Sequence, residues 1–348
     1  MNQTILFIAY YSLDSIKSGP KVRINALSLA FKQSCKLIFI NGTATQRIKK
    51  YFKIIFNNKL QIVDNIYIEP STSTAWPGDL LFLLYLKYKK VNISIYIRDA
   101  YPKFPDFWKE LNFYQYPLYW GWFISIWFYL KIADLSYYPT STLMCLFSHK
   151  NADLLPPGCN SLINNFSIES KSILYAGSIS RRYGIEVLVD MMRKLRENDE
   201  MYQLTLVTTS IVNSAIFEEL GIKVSQKSLS ETMKGEDKYF ISIIPRIKND
   251  YNDLALPIKL FDYMSYGLPV IASDCEEQQS FIRNNDVGYV CNCSPIDFAS
   301  NIIRLHSEKK LLKRYHSNVI KLIETKHSWK HRVEMILKDF QEIKSNEQ

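Results

Sequence analysis

Three groups of side chains in this chain could do chemistry on an anionic or hydroxylated ligand. The loop of residues 177–184 sets two adjacent arginines, Arg181 and Arg182, among small residues (Gly177, Ser178, Gly184), between an apolar run at 173–176 and a helical pattern at 185–197. Free N–H groups and the positive end of a helix dipole meet an anion at such a junction, and paired guanidiniums clamp a diphosphate by bidentate hydrogen bonds. A connector carrying two solvated arginines is the plain alternative. Arg246 ends another apolar run, 239–244, and Lys259 and Asp262 follow on a short helical segment. In the first half, Arg98 and Asp99 stand at the end of the run 93–97, in a loop stiffened by Pro102 and Pro105. They suit either a cleft site or a structural Arg–Asp pair. The five histidines (149, 306, 316, 327, 331) lie outside these loops, so a general base would be a carboxylate such as Asp99 or Asp14.

The elements that must position these residues follow an α/β alternation. In residues 257–273, Pro257 opens a helical turn and Ile258, Phe261, Tyr263 and Met264 form its apolar face. Gly267 supplies a left-handed cap, Pro269 blocks continuation, and residues 270–272 read as a short buried strand. Further strands are expected at 4–10, 36–40, 93–97, 173–176, 204–208, 222–225, 239–244 and 288–291. Helices are expected at 22–32, 77–88, 185–197 and 276–284, and residues 132–142 lead into another. This alternation builds parallel, Rossmann-like sheets, which bind ligands beside their strand-to-helix junctions. The loop 11–21, with Gly19 and Pro20, contains no G-x-G-x-x-G, so dinucleotide binding has little support.

Residues 257–273 resemble the nucleotide-binding signature of GT-B glycosyltransferases, especially glycosyltransferase family 4: a proline-led helix with an acid, then Met264, Gly267, Pro269 and a Val-Ile-Ala-Ser run. The resemblance implies a two-domain α/β GT-B fold, with Rossmann-like domains facing across a cleft. It implies an acceptor domain at 1–160, a polar hinge at 161–170, a nucleotide-sugar domain at 171–328 and a terminal helix at 329–348 crossing back to the first domain. Asp262 would bind the ribose hydroxyls of a nucleotide sugar. The family's second acid, eight residues earlier, falls on Leu254, with Asp253 beside it. The family's loop cations fall on Ser178 and Tyr183, leaving Arg181 or Arg182 to supply the charge. Gly19, Lys21 and Arg23 would approach acceptor and donor phosphates, although Lys21 and Arg23 also suit a solvated helix start. Asp99, with Arg98, would contact the acceptor hydroxyl.

The implied activity is hexosyl transfer from a nucleotide sugar to a glycan or polyprenyl-diphosphate-linked acceptor in surface polysaccharide synthesis, with retention. No Asp-x-Asp triplet occurs, so diphosphate charge is expected to meet Arg181, Arg182, Arg246, Lys259 and helix dipoles, with no metal and no cofactor. A catalytically silent binding subunit and a nucleotide-sugar epimerase remain as alternatives.

Length and composition agree with two globular domains: 348 residues, 47% apolar and 22% charged. The net charge of +9 arises in the first half, where residues 1–160 hold 18 Lys and Arg against 9 Asp and Glu. Such a half could face anionic lipid, a phosphorylated substrate or merely solvent, and no nucleic-acid reader motif accompanies it. Six scattered cysteines suit a reducing compartment, and the apolar run 5–9 reads as a strand, not a leader, so a cytoplasmic location is expected, with the inner face of the membrane as one option within it. Residues 47–59 are basic and aromatic, and residues 111–130 carry no charge but three tryptophans. Residues 47–59 read as an interfacial segment on anionic lipid or as an ordinary surface helix, and residues 111–130 as an interfacial segment or as a buried core helix. For 111–130 a bilayer span is the third possibility.

Overall fold

The computed structural model describes residues 3–14, 18–105, 108, 111–180, 183–210 and 217–346. The chain divides into one unit of Met1–Pro157 with Trp329–Gln348 and a second of Gly158–Ser328.

The first unit runs β1 (Thr4–Ala9), α1 (Gly19–Ser34), β2 (Lys36–Ile40), α2 (Ala44–Phe56), β3 (Asn65–Glu69), α3 (Pro77–Tyr88), β4 (Asn92–Tyr96), α4 (Tyr116–Ile132), β5 (Leu135–Tyr138), α5 (Ser141–Met144) and β6 (Ala152–Leu154). All six strands are parallel, in the order β2-β1-β3-β4-β5-β6. The steps from β2 to β3, β4 and β5 share one direction, so right-handed crossovers put α2, α3 and α4 on one face. The reverse step from β1 to β2 puts α1 on the other, where it contacts the last helix of the chain. β1, β3 and β4 are buried throughout, as central parallel strands require.

Three strands here were not expected: 65–69, 135–138 and 152–154. Gly19 differs too, because α1 begins at Gly19 with Pro20 in its first turn, where a missing N–H is tolerated. Residues 111–130 lie largely in α4, which buries Trp122, Ser125 and Tyr129 and exposes Trp120, Ile124 and Trp127. Among the described residues no helix is long and apolar enough to cross a membrane.

The second unit contains β7 (Ser172–Ala176), α6 (Ile185–Asn198), β8 (Gln203–Val207), β9 (Ile222–Ser225), α7 (Leu229–Thr232), β10 (Ile241–Ile244), α8 (Asp250–Leu254), α9 (Ile258–Met264), β11 (Val270–Ser273), α10 (Glu276–Asn285), β12 (Gly288–Cys291), α11 (Pro295–Ser307) and α12 (Lys309–Leu322). Its parallel sheet has the order β12-β11-β10-β7-β8-β9. Residues 161–170, expected as a polar hinge, are packed into this unit. Phe166 bridges Tyr239, and Asn165 Nδ2 donates to Met233 O at 3.1 Å from a buried position. The closing helix α13 (Trp329–Asn346) belongs to the first unit. There Tyr137 OH donates to Asp339 at 2.6 Å, and Arg332 donates to the carbonyls of Pro156 and Pro157.

Candidate functional site

Both strand orders reverse direction once, between β1 and β3 in the first unit and between β7 and β10 in the second. Parallel sheets bind ligands outside the carboxyl ends of their strands at such a reversal, because the flanking loops part there. Most of the chemistry-bearing residues lie at these two places.

In the second unit the loop leaving β7 begins at Gly177 and the loop leaving β10 begins at Pro245 and Arg246. Their approach is close. A Cβ on Gly184, at φ +78°, would stand 1.9 Å from Pro245 O. Gly184→Ala is therefore expected to destabilise the unit by more than the ~1–2 kcal/mol of left-handed strain alone, since the clash is with backbone. Thermal denaturation of the variant beside the parent checks this.

Helix α9 brings Lys259 and Asp262 to the same place. Pro257 caps it instead of entering it, and Leu260, Phe261, Tyr263 and Met264 form its buried side. Gly267 takes φ +72°, and the N–H groups of Gly267 and Leu268 close back on Met264 O and Tyr263 O. Tyr263 OH accepts from the Ala176 N–H at 2.7 Å, which docks α9 against the end of β7. With that side fixed, Lys259 and Asp262 face the opening and stay partly accessible. The Lys259 ammonium lies 4.5 Å from the Tyr175 ring centroid and 5.4 Å from that of Tyr183. Gly177 makes room for it, since a Cβ there would meet Lys259 Nζ at 2.8 Å. Ser178 is exposed, and its carbonyl accepts from Tyr175 OH at 3.0 Å.

The electrostatics of this pair are unusual for surface-type residues. Desolvation, with Arg246 adding repulsion, brings Lys259 down to about 7. Desolvation also raises Asp262 to about 7, against the pull of Lys259. Among the described residues neither side chain makes a hydrogen bond to the protein, so both keep their polar atoms available to a ligand.

The other expected donor-side residues divide. Arg181 and Arg182 lie outside the described residues. Arg246 is buried, with its guanidinium donating to Ala255 O at 2.9 Å and to Asn252 Oδ1 at 2.5 Å, so it holds the turn after α8. Leu254 is buried, and the neighbouring Asp253 accepts from the Glu276 N–H at 2.9 Å, at the start of α10. Among the described residues no group of three or more His, Cys, Asp or Glu is arranged to hold a metal ion.

In the first unit, Arg23 and Arg98 converge on Glu69, a carboxylate that sequence reasoning missed. Arg23 Nε donates to Glu69 Oε1 at 2.8 Å and Arg98 Nη2 to Oε2 at 2.7 Å, with Tyr67 OH completing the first oxygen at 2.9 Å. Arg98 Nη1 also reaches Tyr11 OH at 3.1 Å. Burial opposes both arginine charges, but Tyr96 and Glu69 for Arg23, and Glu69 for Arg98, outweigh it and keep both guanidiniums above their ordinary range. Arg23 is thus buried at the sheet end and is not a solvated helix start. Lys21 and Asp99 are partly exposed.

Beside this cluster lies a cavity of about 390 Å³. Its wall comes from Tyr10, Tyr11 and Ser12 after β1, Gly42 and Thr43 after β2, and Ser71 and Ser73 after β3, with Trp76 and Leu118 also lining it. Arg47 lines it too, but its charge is spent: it pairs with buried Asp79 and donates to Gly42 O at 2.7 Å, while Tyr51 OH donates to Asp79 at 2.7 Å. Arg47 was expected on a basic surface. It faces inward because it shares one side of α2 with Tyr51 and Ile54.

The family model described as glycosyl transferases group 1 matches residues 170–308. No curated protein matches the chain. Among solved structures, sucrose-phosphate synthase from Thermosynechococcus elongatus is similar with a TM-score of 0.69 at 13% identity, over 99% of this chain and 100% of that one. HepE of Anabaena in complex with UDP gives 0.67 at 10% identity, over 98% and 100%. WaaG, a glycosyltransferase involved in lipopolysaccharide biosynthesis, gives 0.60 at 14% identity, over 95% and 98%. At such identities the likeness establishes the shared fold.

Proposed function

We propose that this chain, whose residues 170–308 match the model described as glycosyl transferases group 1 and whose fold is that of GT-B structures, moves a hexose from a nucleotide sugar to a glycan or polyprenyl-diphosphate-linked glycan, in surface polysaccharide synthesis at the cytoplasmic face of the membrane. The carrying observation is the Lys259–Asp262 pair at the β7/β10 reversal, desolvated and without protein hydrogen bonds. The Asp262 carboxylate suits the vicinal hydroxyls of a ribose. The Lys259 ammonium, beside the Gly177 loop, suits a diphosphate. Lys259, Arg181 and Arg182 with the start of α6 meet the diphosphate charge without metal. The UDP named with HepE motivates UDP as the first donor base to try.

The first unit takes the acceptor in this reading. A cavity of about 390 Å³ is of ligand size. Its hydroxyls and aromatic rings suit an uncharged sugar ring, since Asp79 neutralises its arginine. Asp99 and Arg98 serve the acceptor hydroxyl, and Gly19 and Lys21 an acceptor phosphate. In a front-face displacement the bond from the anomeric carbon to the diphosphate oxygen breaks and the acceptor oxygen bonds the same face. The departing phosphate takes the acceptor proton, configuration is retained, and no strong protein base is required.

Asp262→Ala, with its fold verified by circular dichroism, is expected to lower UDP affinity at least tenfold by titration calorimetry and to abolish transfer. A variant that binds and turns over every UDP- and GDP-sugar as the parent does would sink the site assignment. Leu254, in place of the family's acid, and Asp253, engaged by α10, favour a second reading: a binding subunit without catalysis. Donor hydrolysis by the purified parent separates the two.

A further inference from the structure

The outward side of the helical layer α2–α3–α4 is apolar along all three helices. On α2, Phe52 and Phe56 lie one turn apart and are 56% and 78% exposed. On α3, Leu81, Leu84 and Tyr88 repeat at helical spacing and are all exposed. On α4, Trp120, Ile124 and Trp127 do the same, each more than 60% exposed. Neighbouring helices touch, α2 with α3 and α3 with α4, so these stripes form one continuous face, extended by Phe113 and Tyr114 just before α4. A contiguous apolar face of this breadth marks an interaction surface.

Among the described residues its exposed charges are of one sign, Asp134 just past α4 being paired with Lys87 and only partly exposed. The sequences of the three helices contain a single acid, Asp79, which is fully buried against Arg47 and Tyr51. Exposed lysines flank the stripes: Lys49, Lys50 and Lys53 on α2, Lys89 and Lys90 just past α3, and Lys131 on α4. Rings that carry a polar edge on an apolar body settle at the boundary between headgroups and acyl chains, and lysines beside them meet anionic headgroups. Among the described residues of the face a second copy of the chain would bring the same lysines and no exposed carboxylate, so self-pairing is opposed by like charge.

We infer that this face docks the protein on an anionic lipid bilayer, a step that rests on the reading of the chain as an enzyme of the membrane surface. The cavity then opens beside the docked surface, because Trp76 at the start of α3 and Leu118 in the first turn of α4 belong both to its lining and to the exposed apolar residues.

The test is flotation of the full chain with vesicles of phosphatidylcholine alone or mixed with phosphatidylglycerol, at low and high salt. Co-flotation with the mixed vesicles is expected, falling at least tenfold on pure phosphatidylcholine, at high salt, or for Trp120→Glu/Trp127→Glu. Phe52→Glu/Phe56→Glu gives an independent variant on another helix. Circular dichroism and thermal denaturation, unchanged in these variants, show that they fold, and unchanged UDP binding by calorimetry keeps failure of docking separate from failure of the donor site. Absence of flotation, flotation equal on neutral vesicles, or flotation unchanged in both variants overturns the inference. So does a stable dimer in light scattering that the tryptophan variant dissociates, since a second copy would then cover the face.

Discussion

Glu69→Ala is expected to cost about 3–5 kcal/mol of stability, the largest loss from any single side chain in the first unit. Glu69 is fully buried and divides its two oxygens between Arg23 and Arg98. Removing it leaves two guanidiniums desolvated next to each other with no counter-charge. Arg23 has no escape to solvent: it is 3% exposed, and its Nη1 already lacks a partner. Tyr67 OH loses its acceptor as well. Glu69→Gln should fall between the parent and Glu69→Ala, because one carbonyl oxygen still accepts while the charge is gone. Hydrogen exchange of the β3 and β4 amides, read beside thermal denaturation, locates the loss in this unit. A Glu69→Ala variant as stable as the parent would mean that the arginines are not charged partners of one carboxylate.

That prediction came from a residue the sequence did not single out. Strand β3 reads Asn65-Ile-Tyr-Ile-Glu69, only five residues long and bracketed by polar ones. Its Ile66 and Ile68 alternate with Asn65 and Tyr67, the period of a strand with one polar side, whereas its place in the sheet buries all five. The burial of the Glu69 charge depends on its partners, Arg23 and Arg98, which are 46 and 29 residues away in sequence. No local pattern could join them. The same distance effect hid the pairing of Arg47 with Asp79, which turned a segment read as basic surface into part of a buried network.

The second unit was more legible because its signals are local. Gly267 and Pro269 mark the end of α9 through backbone geometry that any neighbourhood would demand, and the strands 222–225 and 288–291 fall where expected. Asp262 stood out as an acid on a short apolar helix, and its exposure to the opening follows once Tyr263 is fixed on β7. Arg246 shows the limit of such reasoning. Its position at the end of β10 was correct, but a guanidinium has five donors, and here Ala255 and Asn252 take some of them for the turn after α8. Whether a terminal arginine serves a ligand or its own loop depends on the acceptors the fold puts beside it.

The affinity for UDP is expected to fall as pH rises through neutrality, by up to tenfold per pH unit for each proton lost. Desolvation, helped by Arg246, brings Lys259 from its ordinary 10.5 to about 7, and desolvation brings Asp262 from 3.8 to about 7. Such close partners titrate as a pair. Below neutrality the pair is an ammonium and a neutral acid, which welcomes a diphosphate. Above it Lys259 is a neutral amine that no longer attracts one, while Asp262 is the carboxylate that accepts from the ribose hydroxyls. The free protein should show the matching stability profile. Between about 4 and 7 the fold keeps an Asp262 proton that the unfolded chain has released, so stability falls as pH rises. Between about 7 and 10.5 the unfolded chain keeps a Lys259 proton that the fold has released, so stability rises with pH. The contribution of the pair is therefore lowest near neutrality, where a bound diphosphate, by raising the Lys259 value, has most to restore. Lys259→Met should lower UDP affinity about 10–100-fold at pH 6, the worth of a charge-assisted hydrogen bond, and remove its fall with pH. Calorimetry across pH 6–9 reads both effects. A dissociation constant that does not change over that range, or a slope that survives intact in Lys259→Met, would remove Lys259 from the diphosphate site.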